Sequence, residues 1–279
     1  MKRYLFILLL FITQTLASNE LTEIKLRAKQ KNNGVDVRFV LKTNIINPEQ
    51  AKKFNTTPYY ISSVTAQLGN ELIYTAYLGP YLANNAFLKF IYNGIGSSNI
   101  LNLSVVDSNG KKIEKSTQIK NSSNSNDSNK SINESTVPNL DVWQETNSDD
   151  AINKLYGSTE TIEGNFTIML KGDHLITLDD GICTGNAARI NLAIQSNINL
   201  RSLAIFQDAN PYSTIAVFNT YKNPISVYQL TFKMKNTSLI RVVGKGADGL
   251  LYESKYKVYV IPSSHRDCYG NVSGPYMDY

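Results

Sequence analysis

The chain has 279 residues, of which 42% are hydrophobic and 18% are charged, and its formal net charge is +5. This length suffices for one large domain or for two of ordinary size. Seventeen tyrosines and ten phenylalanines favour strands, whereas only two histidines and two cysteines are present. So few metal-ligating side chains argue against zinc, haem and iron–sulfur proteins, and we expect neither a metal site nor a cofactor.

Residues 1–17 have the pattern of a secretory signal peptide. Lys2 and Arg3 precede an apolar run from Tyr4 to Ile12, and the segment closes on small and polar residues ending at Ala17. The apolar run is shorter than the roughly 20 residues that cross a bilayer as a helix. We therefore expect cleavage near Ala17 and an exported mature protein that has no membrane span.

Short strands separated by turn residues follow the signal peptide. Apolar and polar residues alternate with a period of two, which is typical of strands that bury one face. The predicted strands of this part lie at 22–30, 35–43, 61–69, 71–78, 86–93 and 99–110, and the last enters a turn at Asn109 and Gly110.

A stretch dominated by serine and asparagine interrupts this pattern from residue 116 to residue 142. It has almost no large apolar side chain, so it cannot bury enough surface to offset its chain entropy. We predict a flexible, disordered linker over 119–142. It divides the mature chain into a domain at 19–118 and a second domain at 143–265, with a C-terminal tail at 266–279.

The second domain is predicted to begin with a short helix over 149–157. Its apolar residues recur at helical spacing, acidic residues stand at its start and Gly157 stands at its end. The predicted strands that follow lie at 165–171, 174–180, 188–196, 200–208, 213–220, 227–235, 238–246 and 254–262. Strands at such regular spacing in both halves predict an all-β protein of two immunoglobulin-like β-sandwich domains.

Positive charge is concentrated in the first domain. From Ser18 to Gln118 there are twelve basic and seven acidic residues, whereas from Trp143 to Tyr279 there are twelve basic and thirteen acidic ones. A basic domain can attract an anionic substrate or an acidic partner surface. The alternative is ordinary surface lysines that keep sheet edges from aggregating. Export and the lack of an arginine-rich stripe argue against nucleic-acid binding, so no nucleic-acid partner is expected.

The sequence lacks the combinations of residues that common catalytic sites require. A catalytic triad needs an oriented histidine, and only His174 and His265 occur, of which His174 fits a surface turn. No phosphate-binding loop, dinucleotide fingerprint or zinc-protease motif is found. The carboxylates of Asp179 and Asp180 precede Gly181 and fit a turn better than acid–base catalysis. We therefore expect no catalytic residue and no enzymatic activity.

The C-terminal tail carries one of the two cysteines. Cys268 follows the end of the last predicted strand, at Ile261 and Pro262, in a polar segment without a strand pattern. A thiol on a mobile tail beyond a rigid sandwich has the placement of a tethered nucleophile. His265 and Arg266 are close enough in sequence to favour its thiolate form if they face it.

The residues 70–112 resemble SoxZ, one half of the bacterial sulfur-oxidation (Sox) carrier. The positions that carry this resemblance are Pro80, Ala83, Asn84, Phe87, Phe90, Asp107 and Gly110. The second domain resembles SoxY, the partner that carries the sulfur. Its matching segments are 149–168, 185–196, 200–219 and 247–261.

This resemblance implies a periplasmic carrier protein that serves sulfur-oxidation or other redox enzymes. SoxY and SoxZ are ordinarily separate chains that form a heterodimer, so a fused chain implies pairing of its own two domains. SoxY ends in a glycine-rich swinging arm whose cysteine covalently holds thiosulfate-derived sulfur, and Cys268 is the counterpart by position. The flanking glycines are largely missing here, because Asp267 and Tyr269 adjoin the cysteine and only Gly270 lies nearby.

Cys183 is a second departure from SoxY, which does not ordinarily carry a cysteine in the corresponding loop. In immunoglobulin-like sandwiches the first strand commonly runs parallel to the last. Cys183, expected a few residues after an early strand, can therefore lie close enough to Cys268 for a disulfide. A permanent Cys183–Cys268 bond would remove the carrier thiol and leave a binding or adaptor protein on the same scaffold. A labile bond would protect or regulate the thiol, and both alternatives stay open.

Overall fold

The computed structural model describes residues 20–31, 34–93, 98–120, 140–171, 175–220 and 225–261. The predicted signal peptide, His174, most of the predicted linker and the tail residues His265, Arg266 and Cys268 lie outside them. Among the described residues, no helix has the length and apolar character that a membrane crossing requires. Below, the first half denotes residues 20–120 and the second half residues 140–261.

Strands dominate both halves, as the alternating pattern predicts. The first half contains β1 (Glu23–Lys31), β2 (Gly34–Lys42), α1 (Pro48–Phe54), β3 (Ile61–Leu68), β4 (Glu71–Leu78), β5 (Ala86–Tyr92), β6 (Ile100–Asp107) and β7 (Lys112–Gln118). The second half begins with a 3₁₀ helix (Leu140–Gln144), α2 (Ser148–Tyr156), β8 (Ile162–Glu163), β9 (Thr167–Leu170), β10 (Leu175–Leu178) and β11 (Gly181–Thr184). It continues with β12 (Ile190–Gln195), β13 (Leu200–Gln207), β14 (Thr214–Thr220), β15 (Ile225–Phe232), β16 (Ser238–Gly246) and β17 (Leu251–Val260).

The strands form two sheets, and both sheets run through both halves. The smaller sheet has the order β1-β2-β5-β15-β12-β9, and the larger has the order β10-β11-β17-β16-β13-β14-β4-β3-β6-β7, with β8 beside β17. The halves join where β5 pairs with β15 and where β4 pairs with β14, both antiparallel. The predicted all-β sandwich class is confirmed. The strand pattern did not predict that the two sandwiches would share continuous sheets, because alternation shows which residues are buried but not which edges meet.

Four aromatic side chains fill the space between the sheets at this junction. Tyr74 of β4 stacks on Phe90 of β5 with ring centroids 4.2 Å apart, and Phe218 of β14 lies 6.1 Å from Tyr74 and 5.1 Å from Tyr228 of β15. All four are at most 1% exposed and belong to one core that extends across both halves. Each half supplies two of the rings, so neither half can complete this part of the core alone.

The outer face of the larger sheet is covered by α2 and the preceding 3₁₀ helix. Helix α2 begins after an Asn147 cap and ends at Gly157, which has a φ of 78°, so the predicted helix over 149–157 is found within one residue. Val142, fully buried, packs with α2 against the sheet. This corrects the C-terminal bound of the predicted linker, because 140–142 is helical and the buried Val142 anchors it. The N-terminal bound also shifts, since Ile119 is 6% exposed.

Helix α2 is fastened to the larger sheet by a buried ionic network. Arg241 of β16 donates to the carboxylate of Glu253 on β17, to Asp149 at 2.6 Å and to the Ser148 hydroxyl at 2.9 Å. The side chains of Arg241 and Glu253 are 11% and 8% exposed. Hydrogen bonds from several partners are what allow these charges to remain buried.

Candidate functional site

The strand from which the C-terminal tail continues is held by a parallel neighbour. Strands β11 and β17 run parallel, with Cys183 opposite Tyr259 and Thr184 opposite Val260. One residue past β17, the N–H of Ile261 donates to the carbonyl of Thr184 at 3.1 Å. The first strand of the second half, β8, also pairs in parallel with β17, as expected for an immunoglobulin-like sandwich. The expected position of Cys183 in a loop is wrong, because it lies inside β11, a strand too short to show a period in the sequence.

Cys183 is 2% exposed. The chain has one other cysteine, Cys268, which lies outside the described residues. From the strand register, the Cα of Cys183 is about 8 Å from that of Ile261. The seven residues from Pro262 to Cys268 reach at most about 24 Å when extended. Chain length therefore permits both a bond to Cys183 and an arm that extends away from the sandwich.

A surface cluster fixes the end of β17 beside this point. The Tyr259 hydroxyl donates to the Asp180 carboxylate at 2.5 Å, and the Lys257 ammonium lies 3.5 Å from that carboxylate and 4.6 Å from the centre of the Tyr259 ring. The hydrogen bond from Tyr259 lowers the pKa of Asp180, and the same bond raises the pKa of Tyr259. The turn before β11 is thus tied to the last strand, so the tail leaves from a doubly anchored base.

A second functional region is the junction between the halves, where three residues of the first-half motif lie. The N–H groups of Ala83 and Phe87 donate to the carbonyl and the hydroxyl of Thr231, at 3.1 and 2.8 Å. Asn84 accepts from the Lys233 ammonium at 3.2 Å through its side chain and from Arg189 at 3.0 Å through its carbonyl. These motif positions therefore recognise the second half.

Of the remaining motif positions, one lies in the core of the junction and two form a turn within the first half. Phe90 belongs to the aromatic cluster of the junction. One oxygen of Asp107 accepts from the N–H groups of Asn109 and Lys111, both at 2.9 Å, and the other accepts from the Tyr59 hydroxyl at 3.1 Å. Gly110 completes that turn with a φ of 81°, a conformation that favours glycine.

Comparison with protein-family models decides the relationship. Residues 24–118 match the model of the sulphur oxidation protein SoxZ, and residues 160–262 match that of the sulfur oxidation protein SoxY. The chain is a fusion of a SoxZ-like and a SoxY-like domain. The first half described above is the SoxZ-like domain, and the second half is the SoxY-like domain with its leading helices. The resemblance seen in the sequence is thereby confirmed.

Solved structures with some similarity include the sulfur carrier protein SoxY from Chlorobium limicola f thiosulfatophilum, at 24% identity and a TM-score of 0.34, covering 40% of this chain and 90% of that one. Fibronectin(III)-like modules of Clostridium thermocellum CbhA match at 12% identity and a TM-score of 0.24, covering 87% and 96% of the two chains. No curated protein matches the chain. The family assignment rests on the two domain models.

The sequence did not reveal the residues of the SoxY-like domain that hold the SoxZ-like domain. Lys233 donates to the backbone carbonyl of Ile45 at 3.3 Å as well as to Asn84, and burial lowers the pKa of its ammonium. Lys233, Arg189 and Thr231 have no distinctive spacing, so no sequence signal could have found them. Within the described residues, no group of histidine, cysteine or carboxylate side chains is placed to hold a metal ion.

Proposed function

We propose that this protein is a periplasmic carrier that holds a thiosulfate-derived sulfur group covalently on Cys268 and presents it to partner enzymes. One observation supports this most strongly: a SoxZ-like and a SoxY-like domain occur in one chain, joined through both sheets, with Cys268 shortly after the last strand. On this proposal the chain supplies a platform and a thiol, and the partner enzymes carry out the chemistry.

The attachment step is the formation of a sulfur–sulfur bond. The Cys268 thiolate and the outer sulfur of thiosulfate join, and the two electrons released pass to the redox centre of a partner enzyme. A partner hydrolase then uses water to cleave the bond between the outer sulfur and the sulfonate group, which releases sulfate and leaves the outer sulfur on Cys268 as a persulfide. His265 and Arg266 would assist by favouring the thiolate of Cys268.

The base of β17 supports this role mechanically. Parallel pairing with β11, the Ile261 hydrogen bond and the Asp180–Tyr259 bond all hold the strand end from which the tail continues. A fixed base limits the volume that a tethered thiol explores and so raises its effective concentration near a docked partner.

Mass analysis of the protein purified from its native periplasm tests the proposal. We expect a mass adduct on the peptide that contains Cys268, absent from a Cys268→Ala variant and retained in a Cys183→Ala variant as the matched control. If no adduct forms and thiosulfate metabolism is unchanged in Cys268→Ala, the carrier role is wrong.

The burial of Cys183 beside the base of the tail favours a second candidate, an adaptor without a carrier thiol in which Cys183 and Cys268 are bonded. A permanent Cys183–Cys268 bond would close a loop of about 85 residues and stabilise the fold by about 4.6 kcal/mol in the chain-entropy model. Peptide mapping without reductant, followed by thiol labelling across a glutathione series, separates the two. The adaptor requires a strongly reducing midpoint and a large loss of stability on reduction. Ready alkylation of Cys268 in the native protein supports the carrier.

A further inference from the structure

The outward face of β1, β2 and β5 carries a dense group of positive charges, called here the basic face. Its strands point alternate side chains away from the core. The charged members are Lys25, Arg27, Lys29, Lys31, Arg38, Lys42 and Lys89, together with the acidic Glu23 and Asp36. The basic face therefore contains seven cations and two carboxylates, one of which is buried.

That buried carboxylate organises the centre of the basic face. Asp36 is 2% exposed, accepts two hydrogen bonds from Arg38 at 2.8 and 2.9 Å, and lies 3.4 Å from Lys31 and 3.7 Å from Lys89. Three cations thus share one anion. Burial lowers the pKa of the Lys89 ammonium and Asp36 acts to raise it, while the charges of Arg38 and Lys31 lower it further. The positive potential of this region is therefore not cancelled within the molecule.

On the other side of the junction the strands of the same sheet carry no charged residue at their outward positions, although Lys171, Arg189 and Lys233 lie just beyond the strand ends. The outward positions within β15, β12 and β9 are Val227, Gln229, Thr231, Asn191, Ala193, Gln195, Thr167 and Met169. These uncharged positions indicate that the sheet does not need outward charges for its stability. Protection of the sheet edge can account for the cations of the edge strand β1, but not for Arg38, Lys42 and Lys89, which lie on the interior strands β2 and β5.

A shallow apolar depression lies within the basic face. A cavity of about 390 Å³ is bordered by Val40 and Phe87, which are partly exposed. Its charged lining residues are Lys25, Arg27, Arg38, Lys115 of β7 and the acidic Glu23. Protein interfaces commonly combine a small apolar centre with a polar rim of this kind. The depression has room for one apolar side chain of a partner.

We propose that the basic face is the docking surface for an acidic protein surface that places an apolar side chain between its carboxylates. The partner is expected among the enzymes that act on the carried group, and in that respect the inference rests on the proposed function. Lys25 and Lys31 are six residues apart on one strand, about 20 Å, a span that no small oxoanion bridges. A face three strands wide buries on the order of 500 Å² per partner, which is typical of contacts that form and dissociate rapidly.

Binding of a defined acidic peptide tests the proposal on the full mature chain. The probe is a labelled peptide of alternating glutamate and serine with one central leucine, and its Kd is measured by fluorescence anisotropy at rising salt. The face variant is Lys25→Glu with Arg27→Glu. The matched control is Lys171→Glu with Lys235→Glu, which makes the same charge change at exposed positions of the second half. Thermal unfolding verifies that both variants fold.

We expect the face variant to raise the Kd at least about tenfold and the control to change it less than about twofold. Replacing the central leucine by serine should also weaken binding to the native chain. Equal weakening in both variants would show that only net charge matters and would overturn the proposal. Displacement of the peptide by sulfate, but not by chloride of equal ionic strength, would instead indicate a small-anion site. A Cys268→Ala chain should bind the peptide normally, so this test is independent of the carrier thiol.

Discussion

The two halves of the molecule use charge in opposite ways. The SoxZ-like half exposes its cations on an open sheet face around Asp36. The SoxY-like half buries Arg241 and Glu253 beneath a helix and has no charged residue at the outward positions within its strands of the smaller sheet. Exposed charges are screened and contribute little to stability, while buried pairs are strongly coupled to the fold. We infer that the exposed charges of the first half bind a partner protein. The buried charges of the second half hold α2 on the sheet from which the tail continues.

The largest expected effect comes from removing a ring at the junction that both halves share. Phe218→Ala should lower the free energy of unfolding by about 4 kcal/mol, because a cavity opens among buried aromatic side chains. Hydrogen exchange should accelerate in β4 and β5 of the SoxZ-like half as well as in β14. The milder Phe218→Leu is the control and should show a smaller change in the same strands. Faster exchange in the SoxY-like half alone would show that the halves unfold independently.

The buried network should show the next largest effect. Arg241→Met leaves the Glu253 carboxylate buried without its main partner and should cost about 3 kcal/mol in urea unfolding. Adding Glu253→Leu should restore most of this loss, since an apolar pair replaces an ionic one. The exposed pair of Lys112 and Glu114 in the SoxZ-like half is the matched comparison, and Lys112→Met should leave the midpoint unchanged. If Arg241→Met lowers the free energy of unfolding and the added Glu253→Leu does not restore it, the argument for a buried ionic network is wrong.

A smaller effect is expected where the motif residue Asn84 fastens the two halves. Its side-chain oxygen accepts from the Ile45 N–H at 2.9 Å and from Lys233, so Asn84→Ala should cost about 1 kcal/mol through lost and unsatisfied hydrogen bonds. Asn84→Asp keeps the acceptor oxygen and should retain stability. Asn102→Ala, which removes only an exposed bond to Ser116, is the control. Equal losses at Asn84 and Asn102 would argue against a special role for the motif residue.

The sequence predicted the local structure better than the tertiary pairing. Most strands and α2 were found because burial alternates with a regular period, which depends only on neighbouring residues. Helix α1 was missed although Asn47, Pro48 and Gln50 form a visible start signal and a capping box. The packing of α2 over Arg241 and the pairing of β4 with β14 were not predicted, because they depend on contacts between residues that are far apart in the sequence. Of the candidate site, the role of Cys268 stays a prediction because that residue lies outside the described ones, and the partners of Asn84 could not be predicted.

The smallest expected effect is a difference in how salt changes the acid sensitivity of the two halves. Burial alone would raise the pKa of Asp36 and of Glu253, but Arg38 and Arg241, respectively, lower each below its ordinary value of 3.8 or 4.5. A lowered pKa in the folded state stabilises the protein above the ordinary value, and this stabilisation is lost as the pH falls through the folded value. Stability should therefore decline below about pH 4.5 for Glu253 and below about pH 3.8 for Asp36.

The partners of the two carboxylates differ in exposure, which separates their contributions. The Arg38 side chain is 45% exposed and that of Arg241 is 11% exposed, so added salt should screen the Asp36 pair more than the Glu253 pair. Urea unfolding between pH 3 and pH 6, at low and high salt, should show a salt-sensitive component that disappears in Asp36→Asn. The component that disappears in Glu253→Gln should be nearly independent of salt. If both components respond equally to salt, the contrast between an exposed and a buried arrangement of charge is wrong.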